Sequence, residues 1–113
     1  MNKIRVVVKN PGHDCEELDI EPTLEVFRSI VEGSIETCPC VGLTSFGGIM
    51  AYCNEVGKLI GLPKNFIIAD RISRVYDIIV GAVVFFRNQG EEKISLTRHD
   101  IARIRNYVDV RSI

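Results

Sequence analysis

The chain has 113 residues, enough for one domain with its own core, and its 46% apolar and 26% charged residues are typical of a soluble globular protein. Its formal net charge of −1 argues against a broadly basic nucleic-acid binder, whose field must attract phosphate. No apolar run approaches the roughly 18 residues of a membrane span, and the first residues lack a cleavable signal pattern. We therefore expect a cytoplasmic protein without membrane contact.

The charges are segregated along the chain. Eight acidic residues lie between His13 and Glu36 against one base, Arg28, whereas the chain from Thr37 onward carries ten bases and seven acids. An acidic segment of this kind is either a solvated face or a surface that meets a basic partner. The sequence leaves both interpretations open.

The first third of the chain predicts a hairpin and a helix. Alternating β-branched residues indicate a strand over residues 3–9, and Pro11 begins a turn that leads into a second strand, Glu16–Ile20. Apolar residues at helical spacing then predict a helix over residues 23–32. Thr23 is its expected N-cap, and Gly33 is expected to end it.

The middle of the chain predicts further strands. Strands are expected over residues 34–38 and 49–53, with a glycine-rich loop between them. Residues 66–69 are apolar, and residues 70–74 read as a polar loop or a single helical turn. Residues 78–87, the most hydrophobic run, predict one buried strand, in which Gly81 indicates a bulge or a close approach by a neighbouring backbone.

The end of the chain predicts a short strand and a second helix. Residues 92–94 are expected to pair back on the preceding strand. The pattern predicts a helix over residues 98–109, with Thr97 as N-cap and Asp100 in the capping-box position. The order of these strands and helices predicts a single compact α+β domain, residues 1–113, with a mainly antiparallel sheet and two helices.

No residue pattern predicts catalysis or a cofactor. The four cysteines, Cys15, Cys38, Cys40 and Cys53, lack the two closely spaced pairs typical of structural zinc, so we expect buried thiols. The two histidines have no accompanying nucleophile and orienting group, and adjacent carboxylates on a strand point to opposite faces. We therefore expect neither an enzyme nor a metal site.

Three stretches carry a family resemblance: EGSIE at residues 32–36, CNEVGKLIGLPKN at residues 53–65, and DIIVG at residues 77–81. With these stretches the chain resembles the domain-of-unknown-function 3846 family over most of its length. The family has no assigned activity, and its members are small proteins typical of phages, plasmids and other mobile elements. The resemblance thus implies interference with a host, by blocking a defence system through protein contact or by capturing a signal molecule.

Several polar residues of the middle stretch are candidates for a recognition surface, because a packed core does not require them there. We name Asn54, Glu55, Lys58, Lys64 and Asn65 as candidate binding residues, and Arg71 and Arg74 join them as bases suited to phosphate.

The leading hypothesis is a non-enzymatic protein that contacts a host protein; the alternative is a small-ligand or nucleotide-signal binder that uses the basic residues. An edge strand at residues 35–40, or the exposed side of residues 3–9, would also permit a homodimer.

Overall fold

The computed structural model describes residues 2–45, 47–69 and 74–113. The elements of these ranges lie in this order: β1 (Ile4–Lys9), β2 (Glu16–Ile20), α1 (Leu24–Val31), β3 (Ile35–Thr37), β4 (Ile49–Asn54), β5 (Lys64–Ala69), β6 (Val75–Val80), β7 (Val83–Gln89), β8 (Glu92–Ile94) and α2 (Arg98–Asp109). The predicted α+β fold class with two helices is confirmed. Neither helix of the described ranges has the length and apolar character of a membrane span.

The main sheet is antiparallel, with the strand order β2-β1-β7-β4-β3, and β8 pairs with the end of β7. Strands β5 and β6 form a separate antiparallel pair. In the main sheet, β1 lies between β2 and β7, so the prediction that residues 3–9 offer a free edge is wrong. Strand β3 lies at the edge of the sheet, as expected for residues 35–40.

Two hydrophobic cores lie on opposite faces of the main sheet, because successive side chains of a strand alternate between faces. On one face, Val6 and Phe86 pack with Phe27 of α1. On the other face, Val7 and Phe85 pack with side chains of β5, β6 and α2. The central strands are therefore apolar at consecutive positions, which accounts for the hydrophobic runs in the sequence.

The prediction of one long strand over residues 78–87 is wrong, because Gly81 separates β6 from β7, which lie in different sheets. Gly81 has a φ of 73°, a conformation that residues with a side chain rarely adopt. A Cβ at this position would lie 2.7 Å from Leu62 Cδ1. The glycine is therefore required both for the reversal of the chain and for the close approach of Leu62.

The first helix ends before Gly33, as predicted, but the left-handed residue at its end is not a glycine. The C-cap, Glu32, has a φ of 62°, and its N–H group donates to the Arg28 carbonyl. Gly33 follows the cap without adopting this conformation. The predicted N-cap Thr23 is confirmed, since its side chain accepts a hydrogen bond from the Val26 N–H group.

The start of α2 is confirmed in detail and is tied to the sheet. Thr97 Oγ1 accepts from the Asp100 N–H group at 3.0 Å, and the Asp100 carboxylate accepts from the Thr97 N–H group at 2.8 Å. The buried carboxylate also accepts two hydrogen bonds from Arg87 of β7, at 2.7 and 2.5 Å. One side chain thus caps α2 and joins it to the centre of the sheet.

We predict that Asp100→Asn lowers the free energy of unfolding by about 2–3 kcal/mol, because Arg87 loses its charged partner. Hydrogen bonds from Arg87 and Thr97 lower the pKa of Asp100 from 3.8 to about 2. A carboxylate with a lowered pKa in the folded state stabilises the fold above its unfolded pKa, and this contribution is lost as the pH falls towards about 2. In urea unfolding, the difference in the free energy of unfolding between wild type and Asp100→Asn should become smaller as the pH falls from about 4 to about 2. A difference that stays constant over this range would contradict the prediction.

Candidate functional site

Residues 54–63 leave the main sheet at the end of β4, turn at the surface and return to β5. Asn54 is buried where this segment begins. Its Nδ2 donates to the carbonyl groups of Val31 and Glu32, at 3.1 and 3.3 Å, and its Oδ1 accepts from the Val56 N–H group at 2.9 Å. The last carbonyl groups of a helix have no partner within the helix. Asn54 therefore satisfies the end of α1 and fixes the segment to it.

Two glycines allow this close packing. A Cβ on Gly33 would lie 2.7 Å from Asn54 Nδ2, and a Cβ on Gly57 would lie 2.9 Å from Val80 Cγ2. Either side chain would displace the segment from α1 or from β6. Packing thus explains Gly33 and Gly57, whereas Gly61 has open space around it and adopts a φ of 71°, a conformation that favours glycine.

The second asparagine among the predicted binding residues, Asn65, is also buried. Its Nδ2 donates to the carbonyl groups of Lys9 and Gly81, both at 2.8 Å, and its Oδ1 accepts from Lys9 Nζ at 3.1 Å. Lys9 is itself buried, and its ammonium group also donates to the Asn10 carbonyl at 2.9 Å. Asn65 therefore joins β1, β5 and the reversal at Gly81, and its side chain is buried in this structure.

The remaining predicted residues are at the surface where the structure describes them. Glu55, Lys58, Lys64 and Arg74 are exposed, and Arg71 lies outside the described residues. Lys58 forms an ion pair with Asp77, whose hydrogen bond raises the pKa of the lysine. The Asp77 carboxylate also accepts from the Ile78 N–H group at 2.8 Å. The charge of Lys58 is thus already balanced within the chain.

The sequence prediction missed the apolar residues of the same segment. The side chains of Leu59, Ile60 and Val56 are 86%, 59% and 41% exposed, and we call these three residues the tip. Neighbouring large apolar side chains on a surface turn are unusual unless a partner covers them. The signal in the sequence is the apolar Val, Leu and Ile within an otherwise polar and glycine-containing turn.

A small cleft lies beside the tip, between this segment, β3 and β6. Its volume is about 130 Å³, and Glu36, Glu55 and Asp77 contribute carboxylates to its lining. Sites for drug-sized ligands have volumes of about 300–1,000 Å³. Of the predicted bases that the structure describes, Lys58 lines the cleft, whereas Lys64 and Arg74 lie outside it, so these three do not converge on this cleft.

Three of the cysteines form a buried group next to this cleft. Cys38 Sγ lies 3.7 Å from Cys40 Sγ, Cys53 lines the cleft, and all four cysteines of the chain are free thiols. A hydrogen bond with Cys40 raises the pKa of Cys38, and a hydrogen bond with Cys38 together with burial raises the pKa of Cys53. Such thiols are poor nucleophiles. Within the described residues, no three His, Cys, Asp or Glu side chains are arranged to hold a metal ion.

Arginines of α2 form ion pairs with part of the acidic segment. Glu17 accepts from Arg98 at 2.6 Å, from Arg5 at 3.0 Å and from Arg105 at 3.2 Å. These hydrogen bonds, that from Arg98 first, lower the pKa of Glu17 to about 2. Asp19 accepts two further hydrogen bonds from Arg5. Glu17 and Asp19 therefore belong to an intramolecular ion-pair network, and they do not form one acidic face with the other carboxylates.

We predict that Asn54→Ala lowers the free energy of unfolding by about 2–3 kcal/mol, because two helix-end carbonyl groups and the Val56 N–H group lose their partner. Glu55→Ala is the matched control, since this neighbouring side chain is exposed; its effect should stay within about 0.5 kcal/mol. Urea unfolding of the two variants measures the difference. Equal stabilities would show that Asn54 has no structural role.

Comparison with known protein families identifies the family of this chain. The model of a family described as a domain of unknown function, DUF3846, matches residues 4–109, which include both helices and all the strands above. No curated protein and no solved structure shows significant similarity to the chain. The match spans nearly the whole chain, including the three stretches that carried the resemblance. The chain therefore belongs to the domain-of-unknown-function family DUF3846.

Proposed function

We propose that this protein is a non-enzymatic binding protein of the mobile-element type, which contacts a host protein in the bacterial cytoplasm through the tip. The observation that carries the proposal is the exposure of Leu59, whose side chain is 86% accessible to solvent. Burying an exposed leucine against a partner contributes about 1.5–3 kcal/mol, enough to make it an anchor of an interface.

The backbone of the tip supports the same conclusion. The Ile60 N–H group donates to the Val56 carbonyl at 3.1 Å, and the Leu62 N–H group donates to the Gly57 carbonyl at 2.9 Å. Asn54 holds the beginning of the segment, and Asn65 holds the strand that follows it. The apolar side chains are therefore presented on an ordered turn, so less conformational entropy is lost on binding.

The charged residues around the tip suit a protein interface. Glu55, Lys58 and Lys64 carry both signs of charge and surround an apolar centre, the usual arrangement of a polar rim. The alternative, a nucleotide-signal binder, has less support, because the small cleft is lined by three carboxylates and Lys58 is paired with Asp77. The exposed apolar residues of the tip, with charges of both signs nearby, therefore favour a protein partner over a phosphate ligand.

The biological setting of the proposal rests on the family. Because members resembling this chain are typical of phages and plasmids, we propose a component of a bacterial defence system as the partner. Inhibition by protein contact needs no catalytic group. The raised pKa values of Cys38 and Cys53, which make these thiols poor nucleophiles, are consistent with such a mechanism.

We predict that Leu59→Asp weakens binding to the host partner at least tenfold, about 1.4 kcal/mol, because a charge replaces the apolar anchor. Val110→Asp is the matched control, since Val110 is a similarly exposed apolar residue, 77% accessible, on a different element, the end of α2. A tagged protein expressed in a bacterial host captures the partner, and calorimetry with the purified partner then compares wild type and both variants. Both variants should unfold within about 0.5 kcal/mol of wild type.

The proposal would be contradicted if the partner bound the Leu59→Asp variant as tightly as wild type and did not bind the Val110→Asp variant.

The proposal that the partner belongs to a bacterial defence system is tested by phage plating on host strains that each carry one defence system. Wild type and Val110→Asp should restore plating on one of these strains, and Leu59→Asp should not. Equal plating with Leu59→Asp would overturn the assignment of the tip as the inhibitory surface.

A further inference from the structure

We infer that a second surface, adjacent to the tip, accepts a lysine- or arginine-bearing segment of the partner protein. This surface is a groove of about 690 Å³ between the β1–β2 turn, the end of α1 and the end of residues 54–63. We call it the acidic groove. The inference deepens the proposed function and rests on it, because it describes how the same partner is recognised.

The lining of the acidic groove is negative on one side and apolar on the other. Asp14, Glu16 and Glu32 supply three carboxylates, and no lysine or arginine is among the lining residues. Ile30 and Leu62, with prolines and an alanine, supply apolar surface. Lysine and arginine bury their aliphatic stems on apolar surface while the charged group stays near carboxylates or water. The lining therefore matches these two side chains.

The three carboxylates differ from the other acidic residues of the same segment. Glu17 and Asp19 lie in ion pairs with arginines of the chain. Among the described residues, no ion pair involves Asp14, Glu16 or Glu32. The net charge of the whole chain is only −1, so the negative field of the groove comes from its own carboxylates and not from a large excess of charge on the chain. A field of this kind attracts basic side chains and repels phosphate.

The groove adjoins the tip along the chain, and hydrogen bonds hold part of its lining. Leu62 and Pro63 line the groove and directly follow the segment that carries Leu59 and Ile60. Gly81 also lines it; its carbonyl group accepts from Asn65 Nδ2, and its N–H group donates to the Pro63 carbonyl, both at 2.8 Å. A partner that covers the tip with an apolar surface can therefore reach the groove with a neighbouring basic residue.

The test uses the peptide acetyl-Lys-Arg-Lys-amide as the probe and follows the amide signals of the labelled protein by NMR. We expect saturable shifts of groove residues such as Glu16, Glu32 and Gly81, and weaker shifts when salt is raised from about 0.05 M to about 0.3 M. The peptide acetyl-Glu-Glu-Glu-amide should cause no such shifts. The double variant Glu16→Gln, Glu32→Gln should reduce the affinity for the basic peptide at least fivefold.

The matched control is the double variant Glu21→Gln, Glu25→Gln, which removes the same charge from exposed residues outside the groove. It should retain the affinity within about twofold, since distant exposed charges are largely screened. Equal losses in the two double variants would overturn the inference, as would shifts confined to other surfaces or no groove shifts at about 5 mM peptide. None of these results affects the proposed function, because that proposal is tested separately with the Leu59→Asp variant.

Discussion

Two buried asparagine side chains hold the surface of this protein in place. Asn54 joins the end of β4 to the end of α1, and Asn65 joins β5 to β1 and to the reversal at Gly81. Each amide satisfies backbone groups that would otherwise be buried without a partner, and such groups are costly to leave unpaired. The segment between them cannot move as a unit without breaking these hydrogen bonds, so the tip and the acidic groove keep a fixed relation.

The rest of the fold supplies the frame for these two side chains. The central strands β1 and β7 are apolar on both faces, so both faces of the main sheet must be covered. Helix α1 covers one face, and α2 with the β5–β6 pair covers the other. Residues 54–63 connect the main sheet to the β5–β6 pair, and this position explains why they lie at the surface between the two layers.

Local chemistry made much of the fold predictable. The N-caps Thr23 and Thr97 and the capping box of α2 were predicted because each depends on residues within one helical turn. The reversal at Gly81 was not, because a continuous apolar run fits one buried strand as well as two. The left-handed Glu32 was missed because glycine usually takes that conformation, whereas Gly33 is needed here for contact with Asn54.

The candidate site was harder to predict, because its polar contacts join distant parts of the chain. The most distant partners of Asn54 and Asn65 lie 23 and 56 residues away, so the sequence did not show that both asparagines are buried. The ion pairs of Glu17 likewise join β2 to α2, which divides an acidic segment that appeared continuous. The exposure of Leu59 had a local signal, because the residue lies among polar residues and glycines, but the sequence prediction considered only the polar residues of this segment.

Hydrogen–deuterium exchange of the protein alone and with its captured host partner tests whether residues 54–63 form the binding surface. We expect slower exchange on binding over residues 54–63, with little change across the exposed face of α2. Slower exchange over α2 and the ion-pair network of Glu17, with no change at residues 54–63, would contradict it.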